Sequence, residues 1–253
     1  MSLISFSNAI LKDDLSALGF QRKAGSEWIK IVDRMILLSV GTRSLNGFIE
    51  ISYEISPLFW KLAYNTSIFT VYKGILGKAN KEVDLSDVMI PILDEKTDKG
   101  KLMVEKGRKL FKLIEPTFGE VKDLESAFYA MHKLDYIASA PFFSRYFGRE
   151  YSLDEHTIWP PEGAALILCK LGRYDEAYEY LNQALINYSA RSYNPYSSSD
   201  DLKKLYLNEE NRLIPLIESF RQGEVDKIEK LMNEHYFENI KRIEAKYKIS
   251  III

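Results

Sequence analysis

Apolar residues recur along this chain at two different spacings, and the change between them divides it. From Phe48 to Ile55 apolar and polar positions alternate. Ile49, Ile51, Tyr53 and Ile55 fall on one side, and Glu50, Ser52 and Glu54 on the other. That period predicts a half-buried strand of an antiparallel sheet, ended by Pro57. Before it, residues 6–18 carry Ile10, Leu11, Leu15 and Leu18 at helical spacing, with Gly19 placed as a C-terminal cap. Phe20–Arg22, Glu27–Val32 and Met35–Val40 read as strands, with turns at Ala24-Gly25-Ser26 and Asp33-Arg34. Gly41–Gly47 reads as a polar loop, and Ile68–Tyr72 as a further strand.

From about Leu85 onward the spacing becomes three and four, the mark of helices. Asp94–Ile114 offers Leu102, Met103, Leu110, Phe111 and Ile114 as an inner face and is expected to end at Pro116. Val121–Leu134 follows, using Leu124, Phe128 and Met131. The strongest signal is Gly163–Leu185. Ala164–Leu171 is apolar almost all round except for Lys170, so it should be buried on most of its surface. Pro160 and Pro161 are placed to open it, and Gly172 to cap it. Tyr174, Ala177, Tyr178, Leu181, Ala184, Leu185 and Tyr188 then form one apolar stripe. Asp200–Phe220 is a long helical stretch that Pro215 should kink or split. Val225 to about Tyr247 carries a continuous stripe. The β-prone tail Ile249–Ile253 should pack on the body or pair with a sheet edge. The pattern as a whole predicts an α+β fold: a small antiparallel sheet with helices over residues 1–80, then a mostly helical region over 81–253 that could pack with it as one unit.

Two stretches carry resemblances. Leu171-Gly172, Tyr174, Glu176-Ala177, Leu181 and Ala184-Leu185 resemble the turn and second helix of a tetratricopeptide unit. Such units normally stack, because one alone cannot bury its apolar face. Gln222-Gly223, Val225-Asp226, Ile228 and Met232-Asn233 echo that turn, with the stretch Ser189–Ser199 as an insertion. An ordinary antiparallel helix pair accounts for the same residues. At the other end, Leu11-Lys12, Leu15, Leu18-Gly19-Phe20, Arg22-Lys23 and Trp28 resemble the start of a bacterial family of unknown function, the DUF4304 type, over residues 5–60. The resemblance implies a fold and no catalytic residue. Related small α+β domains occur among toxin-immunity proteins, which implies protein binding by analogy.

Composition narrows the function classes. With 253 residues and 46% hydrophobic content there is ample material for a core. A net charge of -2 gives no bulk attraction for nucleic acid. Lys101, Arg108, Lys109 and Lys112 share a helix face, but acids such as Glu105 dilute it. No apolar run approaches the ~20 residues of a membrane span, and the opening lacks the charged region of a signal peptide. The single cysteine, Cys169, lies on the most apolar helix, where a thiol serves as a small filler. Cysteine scarcity points to the cytoplasm. His132, His156 and His235 are in no ligand-spaced pair, and no HExxH, CxxC, GxSxG or phosphate-binding glycine loop occurs. No metal or cofactor is therefore implied.

One segment concentrates other chemistry. Phe142, Phe143, Tyr146, Phe147 and Tyr151 surround Arg145 and Arg149, followed by Asp154, Glu155, His156 and Trp159. The aromatics could cement the two halves. Alternatively Arg145, Arg149, Asp154, Glu155, His156 and Trp159 could line a pocket for a ligand or partner. The sequence thus favours a non-enzymatic module that binds another protein, in an immunity-type role. The alternative is an enzyme or small-ligand binder with its pocket near residues 142–161.

Overall fold

The computed structural model describes residues 3–45, 48–60, 90–91, 96–112, 114–134, 161–192 and 200–251. Helix α1 (Leu3–Ala17) buries Ile10, Leu11 and Leu15. It ends as its glycine predicts. Gly19 takes φ 81°, and the N–H groups of Gly19 and Phe20 bond to the carbonyls of Ser16 (3.0 Å) and Leu15 (2.9 Å). This paired closure satisfies carbonyls that the helix leaves open. Strands β1 (Gln21–Ala24), β2 (Glu27–Val32), β3 (Ile36–Leu45), β4 (Phe48–Pro57) and β5 (Ile90–Pro91) then form one antiparallel sheet in sequence order. Asp33 and Arg34 both have positive φ, 48° and 56°, the twist that a tight hairpin connection requires.

Two sequence expectations for this region change. Residues 41–45 continue β3 and stay paired with β4 as far as Leu45 opposite Phe48, so most of the expected polar loop is strand. Cross-strand pairing decides here, against local polarity. The helical stretch expected from about Leu85 also does not include Ile90 and Pro91, which pair with Ile49 and Phe48. Proline suits this place, at the edge of the sheet. The expected strand Ile68–Tyr72 and the boundary near residue 80 lie outside the described residues.

Helix α2 (Asp98–Phe111) packs beside α1, and α3 (Glu115–Glu120) follows. Pro116 opens α3 within its first turn instead of ending the preceding helix, since a first-turn N–H has no partner to lose. Leu102, expected inside, is 58% exposed. Residues 124–134 form α4. Asp123 and Ser126 bond each other's backbone N–H groups at its start, at 2.8 and 3.0 Å.

The C-terminal half consists of α5 (Pro161–Lys170), α6 (Tyr174–Ser192), α7 (Asp200–Arg221) and α8 (Val225–Tyr247). Every α5 residue from Pro161 to Cys169 is buried. Gly163 lets α5 approach β4, because a Cβ there would stand 3.0 Å from the Trp60 ring. Ala177, Leu181 and Ala184 of α6 are fully buried, as the stripe predicts. The turns α5–α6 and α7–α8 close identically. Gly172 bonds Cys169 and Arg173 bonds Leu168; Gly223 bonds Phe220 and Glu224 bonds Ser219. Both glycines have positive φ, 74° and 69°. Helix α7 runs unbroken through Pro215, so the expected split does not occur. Leu213 and Ile217 are buried on either side of the proline, and α6 lies along α7. Packing of that kind outweighs one lost backbone bond.

The sheet is covered on both faces. One face presents Trp28, Val32, Ile36, Leu38, Val40, Ile51, Tyr53 and Ile55 to a core that also takes residues of α1 to α8. Phe118 of α3 meets Phe20 and Tyr53 edge-on, with ring centroids 5.9 and 6.0 Å apart. The opposite face presents Ile29 and Leu37, which pack with Leu58 against Ile240, Ile243 and Tyr247 of α8. Helix α8 therefore serves two cores: Ile228 and Met232 join the first, and its last turns cover the back of the sheet. The tail follows it, with Ile249 and Ile251 half-buried against this second cluster.

Candidate functional site

The six residues singled out by sequence, Arg145, Arg149, Asp154, Glu155, His156 and Trp159, all lie outside the described residues, as does the aromatic segment 142–151. Other sequence candidates resolve into ordinary contacts. Lys101 pairs with Asp98, Lys109 with Glu105, and Lys112 with Asp14 and Glu115. Arg108 donates to the carbonyl of Ala9 (2.9 Å). The basic face of α2 is thus occupied by partners within the chain. Cys169 is buried, and burial pushes its thiol up to about 12, so it stays protonated and unreactive at neutral pH. Among the described residues, no group of three or more His, Cys, Asp or Glu side chains could hold a metal ion.

The described residues do bring together a polar cluster that sequence reading missed. It lies on the back of the sheet, beneath the last turns of α8. Alternation puts Glu54 on this side of β4, correctly, but the side is covered and not solvated. Glu54 is 3% exposed. Pairing sets Ser39 of β3 opposite Glu54, and both residues face the same way. The Ser39 hydroxyl reaches one carboxyl oxygen (3.4 Å), and the Ser56 hydroxyl bonds the other.

Helix α8 supplies the lid. Asn239 is 1% exposed and donates to the carbonyls of Leu58 (2.7 Å) and Trp60 (2.6 Å), just past the end of β4. Tyr236 donates to the carbonyl of Arg34 (3.2 Å). At the far end, the Tyr247 hydroxyl donates to Glu27 of β2 (2.6 Å), and the Lys246 ammonium reaches the same carboxylate (3.2 Å). That ammonium also meets the Tyr247 oxygen (2.8 Å) and sits 4.6 Å from the Tyr247 ring centre.

Burial sets the protonation state of Glu54. Burial removes water from Glu54 and pushes its pKa from 4.5 up to about 8, and the Glu27 charge adds to the rise. The Ser56 hydroxyl, Lys246 and Ser39 pull it back only in part. Glu54 is therefore mainly protonated at neutral pH, and a carboxylic acid can both donate and accept between the two serines. Burial, and then the bond to Glu27, hold the Tyr247 phenol well above its ordinary range. The arrangement is a protonated acid sealed under a helix, with an ion pair at the rim. One sequence signal could have found it: Asn239 lies among the inward positions Tyr236, Ile240, Ile243 and Tyr247 of α8. An amide on an inward stripe calls for buried backbone partners.

Comparison with protein-family models, with curated proteins and with solved structures finds no match.

Proposed function

We propose that this protein is a non-enzymatic interaction module whose helical half, a tetratricopeptide-like pair of hairpins, binds another protein. The supporting observation is the placement of large apolar side chains that remain exposed. Ile186 of α6 and Leu207 of α7 lie six residues before the end of one helix and seven after the start of the next. Ile214 of α7 and Leu231 of α8 lie seven residues before and six after their shared turn. At about 1.5 Å per residue the members of each pair lie roughly 10 Å along their helices from those ends. Helices α6 to α8 thus carry two apolar pairs, with Phe237 exposed further along α8. Large exposed apolar side chains on successive helices are what a partner surface uses. The resemblance of residues 5–60 to the DUF4304 type, and through it to immunity-type domains, supports the finer reading that the partner is a protein whose activity the complex blocks.

Photo-crosslinking in the native host tests this. A crosslinkable residue at Leu207 or Ile214 should capture the same discrete protein. One at Leu102, exposed on α2, should not. Combining the probe with Ile186→Asp and Leu231→Asp should abolish capture while leaving the melting temperature within a few degrees. Equal capture from Leu102, or capture unaffected by the two aspartates, rejects the helical face.

A further inference from the structure

We propose that Glu54 is a proton-operated latch that holds the C-terminal half of α8 on the back of the sheet, so that loss of its proton frees that half while the main core stays folded. Such a latch belongs to the fold alone and works whatever the helical face binds.

The geometry carries it. Helix α8 is anchored in two unequal parts. Its first half is locked into the main core by Ile228 and Met232. Its second half rests on a separate, smaller cluster of Ile29, Leu37, Leu58, Ile240, Ile243 and Tyr247. Beyond that cluster, the second half is held by Asn239, Tyr236, and the rim contacts of Lys246 and Tyr247 with Glu27. The second half can therefore part from the sheet without opening the main core. Units of this size open on their own in folded proteins.

Glu54 is sealed in only while that half is seated. Among the described residues, the charged and titratable groups facing it are Glu27 from β2 and Lys246 and Tyr247 from α8; β3 and β4 turn the neutral Ser39 and Ser56 toward it. Lys246 is already engaged by Glu27 and leaves with α8 when the helix lifts. An ionised Glu54 thus finds two hydroxyls and one shared cation in the closed state, but water in the open one. Seating favours the acid and lifting favours the anion, so the two equilibria are linked.

The linkage fixes the pH window. The carboxyl is held at about 8 when closed and returns toward 4.5 when solvated. Below that lower value it is protonated in both states and opening is independent of pH. Between the two values, opening releases one proton, and the opening constant rises tenfold per pH unit. Above about 8 it is ionised in both states and the constant levels off.

Hydrogen exchange of the full chain from pH 5 to 9.5, corrected for intrinsic rates, tests this. Amides of residues 239–247 should open through an event separate from that of α1 and α5. Their opening constant should climb tenfold per pH unit and flatten near pH 8. Glu54→Gln, which keeps shape and polarity without the titration, should remove the slope. Tyr236→Phe, which cuts only the bond to Arg34, should raise the constant by one factor at every pH. A flat wild-type profile overturns the latch, as does a slope that survives in E54Q. So does exchange of α8 only together with α1 and α5. Should E54Q fail to fold, the wild-type chain decides alone: the carbon-13 signal of the Glu54 carboxyl must titrate at the pH where the exchange profile levels.

Discussion

The two faces of the sheet are both buried, but by different chemistry. The front face is mainly apolar, although Thr42 is buried on it opposite Ile51, and it is closed by aromatic and aliphatic side chains from several helices. The back face is closed by one helix, and it mixes Ile29 and Leu37 with Ser39, Glu54 and Ser56. The apolar contacts that dominate the front are non-directional and insensitive to pH. Those on the back depend on specific donors and on a proton. The contrast separates a part that sets overall stability from a part whose strength the solution can change.

The largest expected effect is on the front. Phe118 is fully buried and meets Phe20 and Tyr53 edge-on. Phe118→Ala should cost about 3–5 kcal/mol in urea unfolding, by the general cost of emptying a core aromatic site. It should cost the same at pH 6 and pH 9. A cost below about 1 kcal/mol would erase the distinction drawn between the faces.

Glu54→Gln should act in the opposite direction. A carboxyl raised from 4.5 to about 8 in the folded chain weakens folding as pH rises through that window. Its full contribution is present below pH 4.5 and lost above about pH 8. At pH 7 the glutamine chain should be more stable, by on the order of 3 kcal/mol. At pH 4 the two should agree. Thermal melts across pH read this directly, and parallel curves would remove proton dependence from the back face.

The front face was legible in the sequence and the back face was not, for a physical reason. Alternation in β4 located Ile51, Tyr53 and Ile55, and the all-apolar run of α5 located its burial. Gly19 and Gly172 marked helix ends, and the echo at Gln222-Gly223 marked a third. Each of these signals is local. The back is closed by a contact between Asn239 and Leu58, 181 residues apart. No period in β4 records that a distant helix returns to cover it, so Glu54 read as solvent-facing. The same limit explains β3 and β5, whose pairing overrode a polar stretch and a helix-like one. The residues from Arg145 to Trp159 stand out by composition and lie outside the described residues, so the candidate site is a different one.

Asn239→Ala sharpens the contrast from the helix side. It removes both donors to the Leu58 and Trp60 carbonyls, which stay buried. Stranding such groups should cost about 2 kcal/mol or more. Exchange should quicken first at residues 239–247, while α1 and α5 amides follow only the global loss. Uniform quickening along the chain would mean that the back face has no separate stability.

Lys246→Met should produce the smallest change in stability and the most specific change in titration. The Lys246 side chain is 48% exposed and its pair with Glu27 lies at the rim, so losing it should cost well under about 1 kcal/mol. Its charge is nonetheless among the influences that lower the Glu54 pKa, while Glu27 raises it. Without the ammonium, Glu27 acts on Glu54 unopposed, and the Glu54 titration should move upward from about 8. Carbon-13 spectroscopy of the carboxyl measures that midpoint independently of stability. An unchanged midpoint would uncouple the rim from the buried acid. A raised one would show that a half-exposed lysine tunes a group it does not touch, so that rim and interior of the back face titrate as one system.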